Sequence, residues 1–334
     1  RRGRRQMALR LPILLAAAAG AHALVATPYR CPGATRITTC TSLPSATATG
    51  RAPLTSLMMA SMAVGTASAG FPAELMPVKT NALTRFLTAT QFLAASVVTI
   101  LFWYIPLVPL YLYSLVFDRS RRRACDWIVQ IWARCTLSLL FSDIRVEGLE
   151  NLPPRDEAVM YVPNHCSFLD IFALSGYLPR RFKYISKIEI LRIPFIGWAM
   201  QFAKHIAIKR MDRASQVQTV RDAVDCLKAG SSLVTFPEGT RSKDGRLMEF
   251  KKGPFSMAAK AQVRVVPISI IGTHLFQPPG SAFPMARPRG VKLVVHPPLD
   301  APGKKKEQET LEQARAAVLS ALPKSMQPLK DESA

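Results

Sequence analysis

Residues 162–170 read VPNHCSFLD, which puts a histidine and an aspartate five positions apart behind an apolar lead-in. A neutral imidazole is the natural general base near neutral pH, and a carboxylate on one ring nitrogen fixes which nitrogen is free. On one continuous α-helix, positions i and i+5 lie about 140° apart, so a helix through both residues would keep His165 and Asp170 on separate faces. Ser167 followed three residues later by Asp170 matches a capping box. With Ser167 as N-cap, His165 lies just outside the helix, and Asp170 in its first turn points back to an imidazole N–H. Alone, the pattern leaves a second reading open, in which Asp170 only caps the helix and His165 is incidental. Cys166 and Ser167 flank the base, and a covalent route through either is the alternative chemistry. We expect Ser167 to be the cap and Cys166 to be a packing residue.

Three further stretches carry charge or shape to strand ends. SLVTFPEGTRS, 232–242, reads as an apolar strand to Phe236 that stops at Pro237. Gly239 admits an unusual backbone conformation there, presenting Glu238, Thr240 and Arg241 where α/β folds place ligand sites. Arginine suits bidentate phosphate binding. HIAIKR, 205–210, ends a short strand in Lys209 and Arg210. Pro267, inside the apolar run RVVPISI, predicts an edge position or a bulge. The other histidines, 22, 205, 274 and 296, are read as structural or surface residues.

These residues need a scaffold. From Ile144 onward, short apolar runs alternate with helical patterns. Strands are predicted at IRVEGL, AVMYVPN, FKYISK, SLVTF, VRVVPISII and VKLVVHP, with helices at 168–178, 214–229, 254–261 and 304–322. That alternation predicts an α/β domain with a mixed, largely parallel sheet flanked by helices. Upstream, residues 86–117 form an uncharged run of 32 residues, where about 20 suffice to cross a bilayer. Pro106 and Pro109 are expected to kink it or to end a first helix there, giving a tilted span or a re-entrant pair of helices. DRSRRR follows directly, which by the positive-inside rule sets the C-terminal side toward the cytosol or its organellar equivalent. Residues 124–141 read as a second helix with Trp127 and Trp132 at the interface. LRIPFIGWAMQFA, 191–203, is equally a lipid-touching stretch or core.

The chain has 334 residues with 44 basic and 22 acidic side chains. The first 79 residues hold nine of the basic ones and a single acid, Glu74, leaving 35 basic against 21 acidic in the rest. Such an excess suits anionic partners. No nucleic-acid motif with interleaved aromatics is present, so a membrane surface or a phosphorylated small molecule is expected instead. The six cysteines show neither C-x-x-C nor clustering with histidine, which argues against a metal site and against a disulfide framework. The stretch from Met7 reads as a signal peptide, and residues 27–70, rich in Ser, Thr and Ala, have transit-peptide composition. The expected organisation is a targeting region over 1–79, membrane-anchoring helices over 80–141, a catalytic domain over 142–323 and a tail over 324–334.

In this order, N-H-x4-D, the HIAIKR block, F-P-E-G-T-R-S and V-P-I resemble the glycerolipid acyltransferases, and most closely the 1-acylglycerol-3-phosphate (lysophosphatidic acid) acyltransferases. The resemblance covers about residues 86–300 and departs at Cys166, where many relatives carry Gln. It implies transfer of an acyl group from acyl-CoA or acyl carrier protein to the sn-2 hydroxyl of lysophosphatidic acid, with no other cofactor. His165 would be the general base and Asp170 its orienting partner. Glu238 and Gly239 would place the acceptor's glycerol portion and Arg241 its phosphate, with Lys187 and Arg210 as further phosphate contacts. It also implies a bilayer partner, and with the N-terminal composition a plastid envelope location, the alternative being the endoplasmic reticulum membrane. Competing readings are acylation of glycerol-3-phosphate or another lysophospholipid, and a non-catalytic lipid-binding module. A lipid hydrolase would need a nucleophile elbow, and G-x-S-x-G does not occur.

Overall fold

Seven strands form one sheet in the order β1-β7-β6-β2-β5-β3-β4, and only the β6–β7 pair is antiparallel. They are β1 (Ile144–Glu147), β2 (Met160–Pro163), β3 (Phe182–Lys187), β4 (Ile206–Ile208), β5 (Ser232–Val234), β6 (Val265–Ile271) and β7 (Val291–Val295). The helices are α1 (Ala82–Phe117), α2 (Arg123–Ser138), α3 (Leu169–Tyr177), α4 (Ile196–Phe202), α5 (Arg213–Lys228), α6 (Gly253–Ala261) and α7 (Glu307–Ala321). This computed structural model describes residues 80–140, 144–209, 211–278, 280–281, 283–286, 290–303 and 306–329. The expected targeting segments and Arg210 lie outside the described residues.

Strand alternation explains why both faces are covered. Along β2, Tyr161 points into a core shared with Phe92 of α1, Leu137 of α2 and Phe172 of α3. Its neighbours Met160 and Val162 point the other way, into a core with Leu227 of α5, Phe255 of α6 and Val318 of α7. A parallel strand buried on both faces must be apolar throughout, which is why MYVP reads as a continuous run.

Pro267 departs from one expectation and meets the other. β6 lies inside the sheet, so Pro267 is not at an edge. It does sit at a register break: Val265 pairs with Leu299 and Ile268 with Val295, three steps on one strand against four on the other. A residue without an N–H is tolerated where the ladder skips.

α1 selects one of the two alternatives that the sequence leaves open. It runs unbroken through Pro106 and Pro109, so there is no re-entrant pair. Among the described residues it is the one helix long and apolar enough to cross a membrane. At about 1.5 Å per residue it spans ~54 Å. Its inner stripe packs on protein: Phe92 meets Phe172 of α3 edge-on at 5.8 Å, and Tyr111 stacks on Phe202 of α4 at 4.2 Å. Its outer stripe, including Phe86, Val98, Phe102, Ile105 and Val116, is exposed.

The basic run after α1 has work inside the fold. Arg121 donates to Ala229 O beyond α5 (2.6 Å), and Arg122 donates to Phe202 O at the end of α4 (3.1 Å). Both therefore close helix C-termini, where cations are favoured. Trp132, expected at an interface, turns inward against Phe172. The tail is not all tail either. Met326 is fully buried, and its carbonyl accepts from Leu247 N–H at 2.9 Å.

Candidate active site

The parallel strands β2 and β5 lie side by side, and the segments leaving their C-terminal ends carry NHCSFLD and FPEGTRS. Asn164 pins the first loop to β6: its amide oxygen accepts from Ile270 N–H (2.7 Å), and its NH2 donates to Ile270 O (3.0 Å). The helix proper starts at Leu169, one residue later than a Ser167 cap requires, with Phe168 as the flanking residue. The capping interactions are nevertheless made. Ser167 Oγ accepts from Leu169 N–H at 3.2 Å, and Asp170 Oδ2 accepts from Ser167 N–H at 2.8 Å.

The same Asp170 Oδ2 accepts from Cys166 N–H (2.8 Å) and meets His165 Nδ1 at 2.8 Å. Asp170 Oδ1 takes the Thr273 hydroxyl at 2.5 Å. This fully buried carboxylate is ringed by donors and acts as the acceptor toward each of them. Nδ1 must then carry the proton, which leaves Nε2 as the basic nitrogen. Among the described residues Nε2 has no partner, and the imidazole is 13% exposed. Phe236 stacks on the ring at 3.8 Å, fixing its plane.

Glu238 does not sit where the sequence reading puts it. Its carboxylate is turned inward and buried, with Oε1 accepting from His165 N–H (2.6 Å) and Oε2 from Met248 N–H (3.1 Å). Ser242 N–H donates back to His165 O at 2.9 Å. Glu238 thus laces the two loops together rather than facing a substrate. Burial pushes its carboxyl up to about 7, against the opposing pull of those two N–H donors.

Gly239 has φ +74°, a backbone conformation that favours glycine. Thr240 and Arg241 follow it, both exposed, and Arg241 makes no ion pair among the described residues. A Cβ on Gly239 would lie 2.9 Å from Lys251 Nζ, so the Lys251 ammonium stands over this turn. Lys251 was not singled out from the sequence, nor were Thr273, Met248 or Phe236. The one available signal was KKG opening a predicted helix. Lys187 ends β3 on the same sheet edge and is paired loosely, at 3.4 Å, with exposed Glu189.

Cys166 is buried, and its thiol is pushed well above its usual range by burial and by the nearby Asp170 and Glu238 carboxylates. Ser167 donates its hydroxyl to Gln277 O at 3.0 Å. Neither is presented as a nucleophile. His296 is structural, its Nε2 2.7 Å from the Ser269 hydroxyl. Among the described residues no cluster of His, Cys, Asp and Glu could hold a metal.

The acyltransferase family model matches residues 143–271, the span that carries both loops and the sheet between them. The site thus lies in an acyltransferase domain and holds a histidine whose Nδ1 meets a buried aspartate. The chain is 42% identical over 243 residues to a 1-acyl-sn-glycerol-3-phosphate acyltransferase of Chlamydomonas reinhardtii, covering 73% of this chain and 72% of that one. It is 46% identical over 187 residues to the chloroplastic LPAT1 of Arabidopsis thaliana, 56% of this chain and 52% of that relative. It thus spans about half the length of this chloroplastic relative. The crystal structure of the lysophosphatidic acid acyltransferase PlsC from Thermotoga maritima matches with a TM-score of 0.61 at 31% identity, covering 71% of this chain and 93% of that one. The chain belongs to the 1-acyl-sn-glycerol-3-phosphate acyltransferase family.

Proposed function

We propose that His165 Nε2 takes the proton of the sn-2 hydroxyl of 1-acylglycerol-3-phosphate while that oxygen attacks the thioester carbonyl of an acyl donor. The reaction is the family's, giving phosphatidic acid. The tetrahedral adduct collapses by breaking the C–S bond, and the imidazolium returns its proton to the departing thiolate. Asp170 keeps the proton on Nδ1 and offsets the imidazolium charge, the logic of a hydrolase triad without its serine. No acyl-enzyme forms, which agrees with the burial of Cys166 and the engagement of the Ser167 hydroxyl.

A phosphomonoester carries close to two negative charges near neutral pH. Arg241 and Lys251 are the cations we assign to it, with Lys187 and, from the sequence motif alone, Arg210 as further contacts. The exposed pair that Lys187 makes with Glu189 is worth little and easily given up. The donor is acyl-CoA or acyl carrier protein. The outer face of α1 meets lipid, and the membrane is the plastid envelope, a placement supported by the chloroplastic relatives.

The observation that carries this reading is the 2.8 Å contact of His165 Nδ1 with buried Asp170, which leaves Nε2 unclaimed. The test is phosphatidic acid formation by the full chain in detergent, with 1-acylglycerol-3-phosphate, glycerol-3-phosphate and other lysophospholipids offered with both donors. A preference for glycerol-3-phosphate would overturn the acceptor. Full transfer by His165→Ala would overturn the base.

A further inference from the structure

Residues 190–198 form a knuckle that leads from the end of β3 into the first turn of α4. A short 3-10 turn, Ile190–Arg192, leads through Pro194 into α4. Gly197 lies so close to Leu191 that a Cβ there would be 2.1 Å from Leu191 O. Gly197 N–H donates to Ile193 O at 2.8 Å. Phe195, which is not glycine, is held at φ +62°. Side-chain-bearing residues rarely occupy that region, and such strain persists only where the surroundings enforce it.

This construction presents Ile193, Phe195 and Trp198 outward, 44%, 36% and 48% exposed. The knuckle is also fastened to α1. The Tyr104 hydroxyl donates to Phe195 O, and the two rings meet edge-on at 5.3 Å. Leu107 of α1 shares a buried cluster with Ala199 and Ala203. The three exposed side chains therefore stand beside α1 at Tyr104, where its neighbour Ile105 is also exposed. Arg192 directly precedes them and Lys204 follows the end of α4, both exposed and without an ion pair among the described residues. An apolar tip with a tryptophan, rimmed by cations, has the chemistry of the headgroup–acyl boundary of an anionic bilayer.

We propose that this knuckle is a second lipid-contact element. Ile193, Phe195 and Trp198 enter the leaflet that the outer face of α1 occupies, and Arg192 and Lys204 lie on its headgroups. This rests on the reading of the chain as an enzyme of membrane lipids. The knuckle starts just beyond Lys187, the end of β3, on the sheet edge that also bears the His165 and Glu238 loops. With α1 it makes a two-point contact that turns this edge toward the bilayer, where acceptor and product reside.

The test uses the full chain in phosphatidylcholine–phosphatidylglycerol vesicles whose acyl chains are brominated near the headgroup. The Trp198 signal is the emission of the wild type minus that of Trp198→Phe. Bromination is expected to lower it at least about twofold, as it would for an indole at that depth. An unchanged difference would overturn the proposal. Ile193→Asn combined with Trp198→Asn provides the second arm. Turnover of a long-chain acceptor carried in vesicles is expected to drop about tenfold, since membrane affinity scales with buried apolar area. Turnover of a short-chain acceptor, dissolved as monomers, is expected to stay within about twofold by the same reasoning. Equal losses on both acceptors would make the knuckle a part of the domain's packing or a protein-docking face, and would overturn the proposal. If the wild type transfers no acyl group to any acceptor, the functional reading fails, while the quenching still decides the lipid contact.

Discussion

His165 and Asp170 owe their contact to a local device, a carboxylate that closes a helix start and holds an imidazole with the same oxygen. Asp170→Asn would leave the cap partly made, but would permit the wrong imidazole tautomer. We expect kcat to drop by about 10²–10⁴, the usual worth of a general base, for His165→Ala and Asp170→Asn alike. Unfolding curves should set the two apart, because only Asp170→Asn strips charge from the Thr273, Cys166 and Ser167 donors. Lys251→Met addresses binding instead. Removing one cation from a phosphate should raise the acceptor KM about tenfold with kcat little changed. A fall in kcat at constant KM would show that Lys251 merely shapes the turn at Gly239. Glu238 supplies a pH test. Its carboxyl is raised to about 7 from the ordinary 4.5 of a glutamate, so between those values the native state holds a proton that the unfolded chain has lost. Stability contributed by this group therefore falls as pH rises through that window. Glu238→Gln lacks this titration. Whatever its baseline cost, its stability measured against the wild type should improve from pH 5 to pH 8, and a constant gap in denaturant titrations would refute the assignment.

At the scale of elements, the joint between α2 and the sheet is a buried ion pair. Lys183 of β3 places Nζ 2.9 Å from each Asp126 oxygen and 2.7 Å from Ala203 O, and both side chains are almost wholly buried. Breaking one side of such a pair costs about 3–5 kcal/mol, while replacing both partners with apolar or neutral groups costs far less. Lys183→Met should thus destabilise the chain strongly, and Asp126→Asn added to it should recover much of the loss in thermal unfolding. If the double variant is worse than either single one, the pair is not the joint. This contact shows what the sequence conceals. β3 and the helix at 168–178 could be read closely because apolar patterning is a local signal, as was the capping logic of Ser167 and Asp170. The order β6-β2-β5 has no such signal. It alone brings Thr273 to Asp170 across 103 positions and Glu238 to the backbone of His165 across 73. Glu238 was accordingly read as facing the substrate, and Lys251 was passed over. α4 stays ambiguous in the sequence because seven residues carry too little periodicity to tell core from surface.

On the scale of the whole molecule, α1 is part of the core as well as the anchor proposed above. Phe92 belongs to the main apolar cluster with Phe172 and Trp132, and Leu107 to a second one with Cys125, Ile128, Ala199 and Ala203. Thr99 and Thr136 join α1 to α2 by a hydroxyl contact of 2.8 Å inside that interface. Burying one such large apolar side chain is worth about 1.5–3 kcal/mol. Several are involved, and removing α1 would also bare the faces of α2, α3 and α4 beneath it. An exposed apolar patch of more than a few hundred Å² on a soluble protein leads to association. A simple tether predicts otherwise: cutting it away would release a monomeric domain that still acylates a short-chain, water-soluble acceptor. We expect the chain started at Asp118 to aggregate without detergent and to lose turnover even of that acceptor. The chain started at Thr80 should keep both its detergent-solubilised monodispersity and its activity. Size-exclusion chromatography paired with the short-chain assay separates the two pictures. A soluble, active chain from Asp118 onward would mean that the contacts of Phe92 and Leu107 are dispensable and that α1 serves the membrane alone.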